Sequence, residues 1–209
     1  MDPKALFNIP CGVFILATKA GKKMNACIIN TCIQVSSSPV RIAVSILNGN
    51  YTCKLIRASL RFSLSVLDKS ATYDLISRFG FQNGRKADKF EGLSYGLDDS
   101  GNPYPNGQIC AMISAKVTST LDLGTHTLFI AEVLDARTMS SQLPITYYDY
   151  HKDIKPKPEI MVNKKIIGWK CRICGYVYDG PELPPEFVCP TCGHTAEDFE
   201  PIYKTSMVG

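Results

Sequence analysis

The chain has 209 residues, 45% of them hydrophobic and 20% charged, with a net charge of +4. That balance belongs to a globular protein with room for one large domain or two unequal ones. The scattered positive charge gives no basis for binding nucleic acid. No segment approaches the ~20 apolar residues of a membrane span, and Val13–Ala17 is too short for a signal-peptide core. Nine cysteines with no such leader are expected in a reducing cytoplasm, where close cysteine pairs bind metal or carry out redox chemistry.

The first 140 residues alternate short β-like runs with a few helical ones. "GVFILAT" (12–18) ends at the turn signal "KAGKK", and "ACIINTCIQV" (26–35) reads as one strand before the loop "SSSP". "RIAVSIL" (41–47) is followed by "NGN" and by a short helix, "YTCKLIRAS" (51–59), with Cys53, Leu55 and Ile56 on one face. "RFSLSVL" (61–67) alternates again, and 70–80 predicts a second helix with Ser70 as N-cap and Gly80 as its stop. After the turn-rich stretch 96–108 come two long strands, 109–123 and 126–137, separated by Gly124 and Thr125. At least six strands with short inserted helices predict a closed or nearly closed antiparallel barrel, because closure removes exposed edges.

Residues 147–168 hold two Lys-Pro pairs and no clean periodicity, so an extended linker is expected there. The organisation read from this is a first domain over 1–150, a linker over 151–165 and a small second domain over 166–209. From Ile166 onward three basic and six acidic residues give −3, leaving +7 for the rest. Such asymmetry favours docking between parts or steering of charged partners.

The second domain carries Cys171-x-x-Cys174 and Cys189-x-x-Cys192. Each turn aims two thiolates at one ion, and two facing turns complete a tetrahedron, the geometry of zinc or iron. Gly175 and Gly193 suit the positive φ that lets backbone N–H groups point at the sulfurs. About 40 residues bury little apolar area, so the metal also staples the fold. A structural zinc ribbon meets these requirements. Yet "WKCRICGYVYDG" with "CPTCG" and "EDFE" resembles rubredoxin over 169–202, with Trp169, Tyr176, Tyr178, Phe187 and Phe199 as its aromatic surround. The short connection between the pairs is similar to that in rubredoxin-like domains of rubrerythrin. The resemblance implies one iron held by Cys171, Cys174, Cys189 and Cys192.

An iron centre of this kind passes single electrons, whereas a nicotinamide donates hydride; a flavin converts between them. Neither a dinucleotide-binding glycine fingerprint nor a P-loop is present. In order along the chain, "KMNACIINTCIQVSSSP", "RIAVSILNGNYT", "FGFQNGRKADKF" and "GTHTLFIAEV" resemble the flavin reductase-like family. That family is an FMN-binding split β-barrel of Greek-key type, mainly β with short helices. The resemblance covers about residues 6–155 and implies flavin contacts near Asn25, Asn30, Thr31 and Cys32. It also implies that Ser45, Asn50 and Thr52 approach the phosphate and ribityl chain, with Arg85, Lys86 or Lys89 as the phosphate cation. Asn50 and Thr52 stand at the start of a helix whose dipole favours an anion, although such residues equally serve as caps and turns. The family places a histidine near flavin and nicotinamide, which implies a catalytic role for His126. It usually follows Gly-Asp; here it follows Gly124-Thr125. The remaining cysteines sit in apolar runs, as small buried hydrophobes.

The order of the two modules resembles the high-molecular-weight rubredoxins, which implies NAD(P)H:rubredoxin oxidoreductase activity. Electrons would run from NAD(P)H through FMN and iron to a flavodiiron protein that reduces oxygen or nitric oxide, within a homodimer. Two other readings are a flavin or ferric reductase acting on soluble substrate, and an FMN-binding module with a structural zinc ribbon.

Overall fold

A computed structural model describes residues 3–156 and 166–203. The chain divides into two units, Asn8–Pro156 and a second that contains the segment from Lys157 onward. In the first, Phe14–Ala20 (β1) turns back through Lys23–Ile29 (β2), and Cys32–Ser37 (β3) through Val40–Leu47 (β4). Helix α1 (Tyr51–Ser59), strand β5 (Arg61–Leu67) and helix α2 (Tyr73–Phe81) follow. The turn-rich excursion forms a small hairpin, Tyr95–Leu97 (β6) with Pro103–Pro105 (β7), before the long strands β8 (Ile109–Asp122) and β9 (His126–Thr138).

Seven of these strands form one antiparallel sheet in the order β2-β1-β5-β8-β9-β4-β3. Its two edge strands, β2 and β3, are consecutive in the chain and joined only by Asn30 and Thr31. Laid flat, a sheet of this many strands would hold its edges about 29 Å apart, at about 4.8 Å per neighbouring pair. Three Cα steps, from Ile29 to Cys32, reach at most about 11 Å. The sheet therefore curls until its edges nearly meet, and the unpaired seam between β2 and β3 is the split in the barrel. This corrects the expectation of one strand over 26–35. Every residue there favours strand, but the N-terminal half pairs with β1 and the C-terminal half with β4.

Side chains alternate between two cores. Leu16, Cys27, Ile29, Val44, Phe62, Leu64, Phe129 and Ala131 face the barrel interior, which α1 completes with Cys53 and Ile56. Ile15, Ala17 and Ala26 face outward under α2, meeting Leu75, Ile76 and Phe79. Helix α1 has the predicted limits, and Asn50 caps it by accepting from Thr52 N at 2.9 Å. For α2 the cap is Thr72 rather than Ser70, whose hydroxyl instead donates to Asp68 at 2.6 Å. Gly80 lies inside α2 and does not end it.

The segment expected to be an extended linker begins differently. Tyr147–Asp149 is a helical turn with a Thr146/Asp149 capping box, continued by a π-helical turn, Tyr150–Ile154, in which Tyr150 is buried against the outer core. The rest of it, 157–165, lies outside the described residues. In the second unit β10 (Ile166–Cys171) sits between β11 (Val177–Asp179) and β12 (Phe199–Tyr203). Among the described residues no helix is long and apolar enough to cross a membrane.

The interior core rests heavily on Phe129, which is fully buried at the centre of the sheet. Phe129→Ala is expected to lower unfolding stability by about 3–5 kcal/mol, as a lower midpoint at unchanged slope in chemical denaturation.

Candidate metal centre and flavin site

The four C-terminal cysteines converge from two turns of identical design. In the first, Cys171 N donates to Tyr176 O at 2.7 Å and Gly175 N to Cys171 O at 2.9 Å; in the second, Cys189 N donates to His194 O at 2.7 Å and Gly193 N to Cys189 O at 2.9 Å. Gly175 and Gly193 have φ of 82° and 73°, where a Cβ would be strained. The sulfurs of Cys171 and Cys192 are 3.6 Å apart, those of Cys174 and Cys189 3.4 Å, and all four lie within 4.8 Å of one another. A metal–sulfur bond of about 2.3 Å demands sulfur–sulfur edges of about 3.8 Å, so the cage fits a tetrahedral ion.

Backbone N–H groups of Tyr176, Thr191, Cys192 and His194 point at the sulfurs, the arrangement that disperses thiolate charge. Burial, together with the neighbouring thiols, pushes Cys174 up to about 11 and Cys192 higher still. For Cys189 burial acts upward too, but the N–H groups of Thr191 and Cys192 and the adjacent thiols hold it below its ordinary value. A cation must therefore displace protons to bind. Cys171 and Cys189 are buried, while Cys174 and Cys192 are partly exposed. Phe187 packs edge-on to Tyr178 and Phe199, at 4.7 and 5.4 Å between centroids, and Arg172 fastens the far end of the domain by donating to Glu197 O and Asp198 O.

In the barrel, polar groups gather at the N-terminus of α1. Asn25, buried on β2, donates from Nδ2 to Thr52 Oγ1 at 2.9 Å. Its Oδ1 is buried with no hydrogen-bond partner. Gly84 packs so closely that a Cβ there would collide with the Asn25 amide. This brings the loop after α2 over the helix terminus, where Arg85 lies 5.2 Å from the Tyr51 ring centre and 3.5 Å from Gly49 O. The N-terminus carries roughly half a positive charge, and the Arg85 guanidinium stands beside it. Helix terminus and cation together fit a phosphate-bearing ligand.

The other expected residues are distributed around this corner. Ser45 is on β4 opposite Leu128, half-buried. Asn30 and Thr31 make the crossing between the sheet edges, with Thr31 Oγ1 donating to Asn30 Oδ1 at 3.1 Å. Cys32 opens β3, and burial pushes its thiol up to about 11, so it stays protonated near neutrality. His126 opens β9 opposite Leu47, with Nδ1 2.8 Å from Thr125 Oγ1.

Lys89 is not at the surface. Its ammonium is buried and donates to Ala26 O at 2.9 Å and Phe79 O at 2.7 Å. Desolvation holds its pKa below the ordinary value, partly opposed by Cys27. It ties the last turn of α2 to β2, and of the three candidate cations it is Arg85 that reaches α1. The sequence reading passed over Asn48, Arg57 and Thr127, which bond to one another beside His126. Their only local signal was the "NGN" turn.

The family model of the flavin reductase like domain matches residues 6–154. The chain belongs to the flavin reductase-like family. A rubrerythrin, rubredoxin-like domain model matches residues 169–200. The chain is 36% identical to a high molecular weight rubredoxin of Moorella thermoacetica, across 97% of this chain and all of that one. It is also 36% identical to a ferric-chelate reductase (NAD(P)H) of Archaeoglobus fulgidus, covering 72% of this chain and 89% of the relative. An FMN-binding protein from Thermus thermophilus shares the barrel fold at 22% identity, with a TM-score of 0.61 over 68% of this chain and 83% of that one. A flavin reductase-like oxidoreductase domain and a rubredoxin-like four-cysteine site thus share one chain, and flavin-linked electron transfer is the chemistry they support. The tetrahedron alone admits zinc or iron; the rubredoxin-like match favours iron.

Cys174→Ser is expected to abolish rubredoxin-type absorption and metal content while leaving the barrel's flavin in place. Acidification of the native protein should release the metal with uptake of protons, because low pH protonates the thiolates. Metal analysis after gel filtration, across a pH series, checks both.

Proposed function

We propose that this protein is an NAD(P)H:rubredoxin-type oxidoreductase that moves electrons from a nicotinamide through FMN to an iron centre and on to an acceptor protein. The observation that carries the reading is the pairing, within one chain, of a phosphate-suited corner in a flavin reductase-like barrel with a four-thiol cage. When bound, FMN supplies the conversion of hydride to single electrons that the metal site requires.

The chain's own residues have distinct tasks in this proposal. Asn25, Asn50, Thr52 and Arg85 hold the phosphate and ribityl chain at the start of α1. Asn30, Thr31 and Cys32, at the seam, line the flavin, with Ser45 beside them. His126 acts at the face where nicotinamide enters. The partly exposed Cys174 and Cys192 give the electron its way out. A flavodiiron oxygen or nitric oxide reductase is the proposed acceptor. A homodimer suits the exposed Ile33 and Val35 on edge strand β3, which would otherwise leave an open apolar edge. All nine cysteines are free thiols, which suits a reducing, cytoplasmic compartment. The proposed domain limits remain 1–150 and 166–209, joined through 151–165.

A second reading, reduction of soluble flavin or ferric chelate, is favoured by the likeness to the ferric-chelate reductase across most of that protein's length. The two differ in whether the metal domain is needed.

Anaerobic titration with NADH, followed by visible absorption, is expected to bleach the flavin and iron bands together. Iron bands that persist after the flavin is reduced would overturn the proposed route. Full NADH-dependent reduction of ferric chelate by a Cys174→Ser variant would favour the second reading. For the cation, Arg85→Ala should weaken FMN binding about tenfold, the loss of one charge-assisted contact of about 1.5 kcal/mol. Lys89→Met should instead lower stability by about 2 kcal/mol by stranding two carbonyls. Fluorescence titration with FMN and chemical denaturation separate the two effects.

A further inference from the structure

Asn48 follows β4 directly and stands two residues before the cap of α1. Its backbone N–H donates to Thr125 O at 3.0 Å. Its side-chain Nδ2 donates to Gly124 O at 2.7 Å and to Asp122 Oδ1 at 3.3 Å. Its Oδ1 accepts from Thr127 Oγ1 and from Arg57 Nη2. Arg57, on α1, also donates to Thr127 Oγ1, and Cys53 offers its thiol to the same oxygen at 3.7 Å. Inside the turn, Gly124 N donates to Asp122 Oδ1 at 2.9 Å, and Leu123 N to His126 O at 2.8 Å.

Asn48 thus holds both neighbours of His126, Thr125 through its backbone N–H and Thr127 through its side-chain oxygen, while its side-chain donors reach Asp122 and Gly124 in the β8–β9 turn. It belongs to the same short loop that delivers Asn50 and Thr52 to the flavin-phosphate corner. Gly124, at φ 86°, turns its carbonyl toward that amide. Ser and Thr lack the second hydrogen-bonding group, and Asp lacks the donors.

We propose that Asn48 is the positioning residue that sets His126 in register with the N-terminus of α1, so that phosphate binding and the hydride-accepting face are built on a common anchor. This rests on the reading of His126 as a site residue. Asn48 acts through the turn and touches neither flavin nor nicotinamide. Displacement of a catalytic group by about 1 Å is enough to cost up to about a hundredfold in rate.

The test is a double-mutant cycle on the full-length, flavin- and iron-loaded protein, with flavin reduction at saturating NADH followed by anaerobic stopped flow. Asn48→Asp replaces the donors to Gly124 and Asp122 with an oxygen, and Asn48→Ala serves as the second variant should the first fail to fold. Either is expected to slow flavin reduction about tenfold or more, with flavin content and iron absorption unchanged. His126→Ala is expected to slow it as well, and the double variant to be no slower than His126→Ala alone. If His126→Ala is slow and the Asn48 variants are normal, or if the two losses multiply, the positioning role fails while the His126 reading stands. If rate falls only in proportion to lost flavin, Asn48 serves binding and the proposal is overturned. If His126→Ala reduces flavin at the native rate, the His126 reading itself fails and takes this proposal with it.

Discussion

Everything in the barrel depends on the shortness of the crossing at Asn30 and Thr31. Two residues cannot span the width of a flat seven-stranded sheet, so the chain's own connectivity pulls β2 and β3 together. Closure then has two effects. It encloses the core of Leu16, Phe62, Leu64 and Phe129, and it leaves a seam where backbone groups of the two edges are not paired with each other. That seam runs past polar residues, Asn25 on one side and the Asn30–Thr31 crossing on the other. A barrel closed by continuous pairing would have no such line of available donors and acceptors, and its interior would be only a core. The proposed flavin site draws on the incompleteness of the closure.

The metal domain solves a different problem by different means. Its apolar core is three buried residues, two of them cysteines, with aromatic rings packed around them. Such a core is too small to hold four sulfurs together against desolvation and mutual repulsion unless a cation neutralises them. The bracing is mostly backbone: each turn spends its N–H groups on sulfur or on a neighbouring carbonyl. Because the N–H groups that brace each turn and those that point at the thiolates belong to the same few residues of backbone, folding and electronic tuning cannot be separated here. The barrel has two extended apolar cores to pack around; the small domain has little beyond its four cysteines and their aromatic surround.

These differences explain what was legible in the sequence. The cysteine turns were readable because their geometry is local: ligand, two residues, ligand, glycine. Helix α1 was readable for the same reason, its cap at Asn50 standing next to its first turn. The break inside 26–35 was not, because strand propensity is continuous through Asn30 and Thr31 and only pairing with two distant strands divides it. Lys89 read as one of three candidate phosphate cations, because the resemblance points to this stretch and nothing local separates it from Arg85 and Lys86. Its burial is decided by two carbonyls, one of them 63 residues away on β2. Arg85, four residues earlier and chemically equivalent in the sequence, is delivered to α1 because Gly84 lets the loop close onto Asn25. Ser70 read as the cap of α2, but a competing partner takes it: Asp68 captures Ser70, and Thr72 caps the helix instead.

The flavin corner and the His126 turn raise the same issue of distance in sequence. Asn25, Asn50, Arg85 and His126 come from four segments, and no short motif contains them. What unites them is the loop 48–50, which ends β4, the strand next to the sheet's edge, and begins α1, which enters the interior core. A loop in that position is held at both ends by elements that bury side chains in the interior core, Val44 and Ile46 on β4 and Cys53 and Ile56 on α1. The polar groups it carries are therefore tied to the core despite being near the surface. A site assembled on long flexible segments would owe its precision to the ligand; the proposed one would owe it to β4 and α1.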